Sequence, residues 1–391
     1  MKQLPLTIRY LLALTKAALR QTEPPACPDG ISFADIYKLA ALHGIAGLVW
    51  YAVRNQPDLP AETMAQFAKA HKVAVVSEAV QEAEVTLLLQ YLEQIGCRYM
   101  TLKGWDLRKL YPKADMRLSA DTDILFDPAE SERVRAWMER NGYALTESDE
   151  QVEAYHKPPF VTVEMHRALV GPSNGLYHRY LQPVWDRARP TEGTCRYRMT
   201  PEDEYIYLLI HLTKHLWEGG IGIRAFADLY LYRDRYAGQM DASYLAVELA
   251  KVGLYDFEQT VRRLLAVWFD GAPCDATVYD LTRLVVGSGA YGTVSHVTVA
   301  RSEKKKQSRL RYVLSRVFPG FSYMKRVYGW VGRMPFLLPA AWVARIFTIV
   351  FFRHSRMRTE IRTWRDVTAE KKSDLEQLKY RCGMKEMDTN A

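Results

Sequence analysis

The segment RLSADTDILF, residues 117–126, constrains this chain more than any other stretch. It closes in an apolar run that reads as a strand, yet two carboxylates, Asp121 and Asp123, stand at the strand's mouth. Alternate residues of an extended strand share a face. Asp121 and Asp123 are therefore expected to point one way, and Thr122, Ile124 and Phe126 the other. Two like charges side by side are costly unless a cation or an opposite charge sits between them. A strand leaving a turn, with one Asp capping the backbone and the other solvated, would carry the same letters. What separates the two readings is whether a further acid converges on the pair.

Glu164 is such an acid. It lies in VTVEMH, a strictly alternating strand pattern separated from the pair by PAESERVRAWMERNGY, a helix opened by Pro128 in its first turn. If the two strands are neighbours, three carboxylates meet. Such a group suits one or two Mg²⁺ ions, which carboxylates, water and substrate phosphates hold. Metals so placed stabilise in-line displacement at phosphorus. Upstream, CRYMTLKG reads as a short strand ending at Lys103-Gly104, where glycine lets a phosphate approach the backbone, and WDLRKLY as a short helix. Arg117 offers a second positive charge to a triphosphate. With EAYHKPPFVTVEMHRAL as one or two strands, residues 80–170 form a compact α/β unit.

The rest of the chain reads as helix. At 391 residues it has room for about two or three domains of ~150 residues each. The N-terminal MKQLPLTIRYLLALTKAALR superficially looks like a signal peptide. Arg9 and Lys16 interrupt it, however, and Ile8, Leu11, Leu12 and Leu19 recur at the spacing of an amphipathic helix. AETMAQFAKAHKVAVVSEAVQEAEVTLLLQYLEQIG is a long helix ending at Gly96, and EDEYIYLLIHLTKHLW, IRAFADLYLYRDRY, DASYLAVELAKVG and DFEQTVRRLLAVWF carry the stripes of a bundle. Five scattered cysteines without a CxxC pair suit neither a zinc site nor a disulfide framework. They agree with a reducing cytoplasm. Hydrophobic content of 48% argues against wholesale disorder.

The net charge of +8 is concentrated: between Arg301 and Arg333 ten lysines and arginines face one acid, Glu303. Such a block suggests an anionic partner, either a phosphate-bearing substrate, a membrane surface met through residues 301–358, or nucleic acid; a solvated basic loop is the alternative. MPFLLPAAWVARIFTIVFF, residues 334–352, is nearly long enough to span a bilayer but contains Pro335, Pro339 and Arg345. Buried, interfacial and spanning readings all remain open for it. No basic–aromatic alternation of an RNA-binding module appears, so nucleic acid is not supported beyond the net charge.

LKG, a short helix ending in LYP, R-x-x-x-D-x-D-I-L, a helix and then VxVEMH together resemble the nucleotidyltransferase superfamily related to DNA polymerase β, closest to its poorly characterised bacterial branch. The core of the resemblance covers residues 80–190. HLTKHLW followed by IRAFADLYLY also looks like that branch. The resemblance implies an α+β fold: a nucleotidyltransferase-like mixed β-sheet core with helices, flanked by N- and C-terminal helical regions. It implies a division into 1–79 (helical), 80–190 (catalytic core), 191–290 (helical bundle) and 291–391 (basic and apolar). It further implies that Asp121, Asp123 and Glu164 are catalytic and bind Mg²⁺ or Mn²⁺; on the residues' own reading, Lys103, Gly104 and Arg117 would position a nucleoside triphosphate. Glu164 would be a third ligand or the base for the acceptor. Where the superfamily carries Gly-Ser shortly before the paired acids, this chain has Lys103-Gly104-Trp105, seventeen residues ahead of Asp121. Nothing in the core selects ATP over other nucleotides, and the acceptor (protein, sugar phosphate or metabolite) is not legible. A module of the same fold that binds nucleotide or a partner without catalysis is the alternative.

Six further residues are weighed beside these. His166 shares a strand face with Glu164 and would assist the metal, contact the acceptor or orient Glu164. His211 and His215, four apart on a helix, would line a cleft or, with Asp228, bind metal. Lys214 and Arg224 are candidate phosphate contacts. Removing either Asp121 or Asp123 from a self-repelling cluster is expected to abolish turnover and leave the chain folded.

Overall fold

The computed structural model describes residues 3–218, 220–289, 318, 320, 321, 324, 334–343 and 376–384. Three helices open the chain: α1 (Leu6–Arg20), α2 (Phe33–Leu42) and α3 (Ala46–Val53). The amphipathic helix expected at the N-terminus is α1, and its Ile8, Leu11, Leu12 and Leu19 are buried. Ser32 starts α2 by accepting a hydrogen bond from Ala34 N. A 34-residue helix, α4 (Ala61–Gln94), follows and ends at Ile95 and Gly96. Phe67, Ala74, Gln81 and Leu88 are all buried at seven-residue intervals along it, so one stripe faces inward over most of its length. The helix runs without a break across residues 79 and 80, where the sequence suggests a boundary.

The sheet follows: β1 (Tyr99–Thr101), a short helix α5 (Gly104–Leu107), β2 (Thr122–Phe126), α6 (Ser131–Arg140), β3 (Ala144–Ser148), β4 (Val152–Lys157) and β5 (Val161–His166). The spatial order is β1-β2-β5-β4-β3, with β2 and β5 parallel and the other pairs antiparallel. This is the mixed sheet that the α+β reading expects. EAYHKPPFVTVEMHRAL resolves into two strands, β4 and β5. β3 escapes the sequence reading because all five of its residues are exposed, so it has no apolar face to announce it.

Helices cover both faces of the sheet. Ile124 and Phe126 of β2 and Val161, Val163 and Met165 of β5 pack with Val85, Leu88 and Leu92 of α4 and Val134 and Met138 of α6. On the other face, Met100 and Leu125 join a larger core that contains α1–α3 and the helices that follow the sheet. Those are α7 (Gly175–Leu181), α8 (Val184–Arg187), α9 (Pro201–Glu218), α10 (Ile223–Tyr236), α11 (Ala242–Lys251), α12 (Tyr255–Leu265) and α13 (Ala276–Ser288). The N-terminal helices and the later bundle thus share one core. Arg20 of α1 fastens them together, with Nη1 and Nη2 donating to the two carboxylate oxygens of Asp234 at 2.7 and 2.8 Å.

Among the described residues, no helix is long and apolar enough to cross a membrane. Most of the basic segment 301–358, and residues 344–352 of the apolar one, lie outside the described residues.

Two expectations follow. Leu88→Ala opens a cavity between α4 and the sheet and should cost about 2–5 kcal/mol, seen as a lower urea midpoint. Glu204 stands in the first turn of α9, where burial, with Asp106 nearby, lifts its carboxyl to about 7. Between the ordinary glutamate value of about 4.3 and about 7 the folded chain holds a proton that the unfolded chain does not, so stability should fall as pH rises through that window. Melting temperatures of Glu204→Gln across pH 4.5–7.5 should lack that slope.

Candidate active site

Parallel pairing of β2 with β5 sets Asp123 directly beside Glu164, and Leu125 beside His166. Because side chains alternate, Asp123, Glu164 and His166 share the face turned toward the helices, while Ile124, Val163 and Met165 enter the opposite core. Asp121, two residues before Asp123, stands on the same side at the strand's mouth. Residues 41 apart in sequence are brought together by one strand–helix–hairpin passage.

The charges are unequally placed. Asp123 is buried, with Lys103 Nζ 3.4 Å from Oδ2 and His166 Nε2 2.8 Å from Oδ1. Burial alone would raise this carboxyl, but Lys103 and His166 overcome it and hold Asp123 well below the usual carboxylate range. Asp121 behaves oppositely: burial, then the neighbouring Asp123 and Glu164, push its carboxyl up. His166 also reaches Glu164 Oε2 at 3.3 Å, and its bonds to the two acids raise it against the effect of burial. Glu164, its side chain 32% exposed against 8% for Asp123, is the more open of that pair.

Lys103 reaches Asp123 from a strained backbone. Its φ of 32° lies where a side chain is disfavoured, at a cost of about 1–3 kcal/mol. The surroundings enforce the bend: Leu102 N donates to Asp123 O at 3.0 Å, and Leu107 N donates to Lys103 O at 2.8 Å. Lys103 then lies between Asp123 and the ring of Tyr207 on α9, whose centroid is 5.7 Å from Nζ. Burial would lower the amine, yet Asp123 raises it above the ordinary lysine value.

Lys103, Asp121 and Asp123 stand at one end of a cavity of about 310 Å³ between the sheet and helices α9 and α10. Lys103, Gly104, Arg117, Ser119, Asp121 and Asp123 line it from the core, and His211, His215, Arg224 and Asp228 from the helices. His211 and His215 bond to each other through their Nε2 atoms at 2.9 Å. Burial, with Lys103 and His215 close by, pushes His211 well below the ordinary histidine value, so it is neutral. Arg224 donates to Leu118 O, tying α10 to the loop ahead of β2. Lys214 lies on α9 but is not among the cavity's lining residues.

The structure changes two sequence expectations. Asp228, weighed as a metal partner of His211 and His215, is instead bound by Arg117, whose Nε and Nη2 donate to its oxygens at 2.7 Å each, and by Tyr111 Oη at 2.8 Å. Asp123 is also not simply one member of a repelling pair, because removing it strands Lys103. Ser119, Tyr111 and Tyr207 were not singled out from the sequence. One signal was present, in IRAFADLYLY: a lone acid among buried apolar residues of a helix implies a buried partner.

A divalent cation fits this donor set. Among the described residues, Asp123, Glu164 and His166 each offer a ligand atom within 4.8 Å of the others. Asp121 beside them carries the like-charge strain that a cation relieves. The profile of a protein family described as uncharacterised nucleotidyltransferase matches residues 29–270, and the chain belongs to that family. No curated protein and no solved structure matches it.

The unequal pairing has a measurable consequence. Asp121→Asn should leave the thermal midpoint unchanged or raise it. Asp123→Ala, which leaves a buried lysine without its carboxylate, should destabilise by about 3–5 kcal/mol, read from urea unfolding.

Proposed function

We propose that this chain is a metal-dependent nucleotidyltransferase that moves a nucleoside monophosphate from a nucleoside triphosphate to an acceptor, releasing pyrophosphate. The observation that carries the reading is the side-by-side register of Asp123 and Glu164, with Asp121 at the same strand mouth; Asp121 and Asp123 line a cavity whose other charged groups include Lys103, Arg117 and Arg224. Asp121, Asp123 and Glu164 would hold Mg²⁺ or Mn²⁺, which when bound neutralises phosphate charge and activates an oxygen nucleophile.

The chain's own residues account for the rest. Lys103 and Arg117 set positive charge where a triphosphate must lie, and Gly104 leaves the backbone open beside them. An acceptor oxygen attacks the α-phosphorus, the bond from that phosphorus to the pyrophosphate oxygen breaks, and the acceptor's proton passes to a carboxylate. Glu164 suits that last role because it is more open than Asp123 and its partner His166 holds it in place. His166 and Lys103 keep Asp123 ionised, as a ligand must be. The bonded His211–His215 pair supplies hydrogen-bonding groups on the opposite wall, where the acceptor or the nucleoside would meet it.

A second reading has an observation of its own. Lys103 and His166 already engage both oxygens of Asp123, as expected of a module that binds nucleotide or a partner without catalysis. Label transfer separates the two. The purified chain is incubated with each α-³²P-labelled nucleoside triphosphate and Mg²⁺ or Mn²⁺ in cell lysate, beside Asp121→Asn and Glu164→Gln. Transfer by the wild type, reduced about a hundredfold or more in both variants, is expected; that is the scale of losing one charge-stabilising group. Nucleotide binding by calorimetry with no transfer would establish the second reading instead.

A further inference from the structure

The least explained feature of the cavity is Arg117. Its side chain is buried, 7% exposed, and Asp228 of α10 takes two of its three nitrogens in a fork. The third, Nη1, has no hydrogen-bond partner among the described residues. A buried guanidinium nitrogen left unpaired is expensive unless something that accepts hydrogen bonds comes to meet it. Its direction is given by Gly104: a methyl group there would fall 2.9 Å from Arg117 Nη1 and 2.9 Å from Ser119 Oγ. Any side chain at 104 would clash, so both donors close directly against the Gly104 backbone. Gly104, Arg117, Ser119 and Asp121 all line the cavity of about 310 Å³.

Nothing about Arg117 alone fixes that aim. A long side chain rotates freely, and orienting it costs entropy. Here Asp228 removes the freedom: the planar fork admits one geometry, and Tyr111 Oη, donating to Oδ1, steadies the carboxylate. Arg224, one turn earlier on α10, holds Leu118 O, so the loop carrying Arg117 and Ser119 is pinned to the helix at two points.

We propose that Asp228 is a positioning residue for polyphosphate binding: by gripping Nε and Nη2 of Arg117 it holds Nη1, together with Ser119 Oγ, at the cavity wall beside Gly104, where a terminal phosphate of the substrate docks. The inference rests on the nucleoside triphosphate reading above and adds to it a residue that touches no substrate and a hydroxyl that does. It also makes polyphosphate binding depend on α10 being seated against the sheet.

The test is calorimetric titration of the full chain with inorganic tripolyphosphate, with and without Mg²⁺. It compares wild type with Asp228→Asn, Arg117→Lys, the double variant of those two, Ser119→Ala and Gly104→Ala, each checked for folding by circular dichroism. Tripolyphosphate should bind the wild type. Asp228→Asn and Arg117→Lys should each weaken it about tenfold or more, the worth of a hydrogen bond to a charged group, and the double variant should be no worse than either single one. Ser119→Ala should weaken it without disturbing the ion pair, and Gly104→Ala should weaken it by pushing Arg117 Nη1 and Ser119 Oγ aside. In turnover, Asp228→Asn should raise KM for the nucleotide with kcat largely kept, a split that general loosening of the fold would not produce.

Wild-type affinity retained in a folded Asp228→Asn overturns the inference and leaves the nucleotidyltransferase reading intact. Additive losses in the double variant overturn it too. If Asp228→Asn does not fold, Ser119→Ala and Gly104→Ala decide, and unchanged affinity in both overturns the proposal. A wild type that binds neither tripolyphosphate nor any nucleotide overturns the functional reading, and this inference with it.

Discussion

The bidentate ion pair between Arg117 and Asp228 is the contact on which the site's assembly depends. Both side chains are all but removed from water, 7% and 8% exposed, and burying two charges is repaid only when geometry is good and the remaining lone pairs are used. Here the fork is parallel at 2.7 Å on each arm and Tyr111 takes a further lone pair. A hydrophobic pair of similar volume would hold α10 to the sheet equally well, but it would leave no donor in the cavity. The ion pair joins two tasks: it seats a helix, and it presents a charge beside the acids.

Around that contact the site is an arrangement of unequal charges. Asp121 and Asp123 are two residues apart and both acidic, yet burial and neighbours move them in opposite directions. The difference is positional. Asp123 sits inside the strand, between Lys103 at the end of β1 and His166 on β5, whereas Asp121 at the mouth meets chiefly other acids. The strain in Lys103's backbone belongs to the same design. A relaxed turn would not carry its amine over Asp123, and the bonds from Leu102 and Leu107 hold the bend in place.

The sheet provides what the charges need, which is rigidity. Its far face is sealed by α4 and α6 and its near face by the helical core, so the strands carrying Asp123, Glu164 and His166 are buried between layers. Gln81 of α4 reaches around the edge to donate to Ser119 O at 3.0 Å, the loop residue flanking Gly104. The long helix therefore supports both the core behind the sheet and the approach to the site.

Sequence alone determined the elements and the acids. The periodicity of two in DTDILF and VTVEMH, and of 3.6 in the helices, follows from local backbone geometry, so it survives in a string of letters. The three carboxylates, Lys103 and Gly104 were legible for the same reason, since an acid at a strand mouth or a glycine at a turn is locally anomalous. β3 was not, because an exposed edge strand has no apolar face to betray it. Only the tertiary structure decided that Asp123 is neutralised by Lys103 and His166 while Asp121 is not. It also revealed that Ser119 meets Gly104 across fifteen residues of chain, and that Asp228 serves Arg117 rather than a metal. Those facts are pairings between distant segments, made in a low-dielectric interior where a charge's behaviour depends on its partner, and no local pattern encodes which partner that will be.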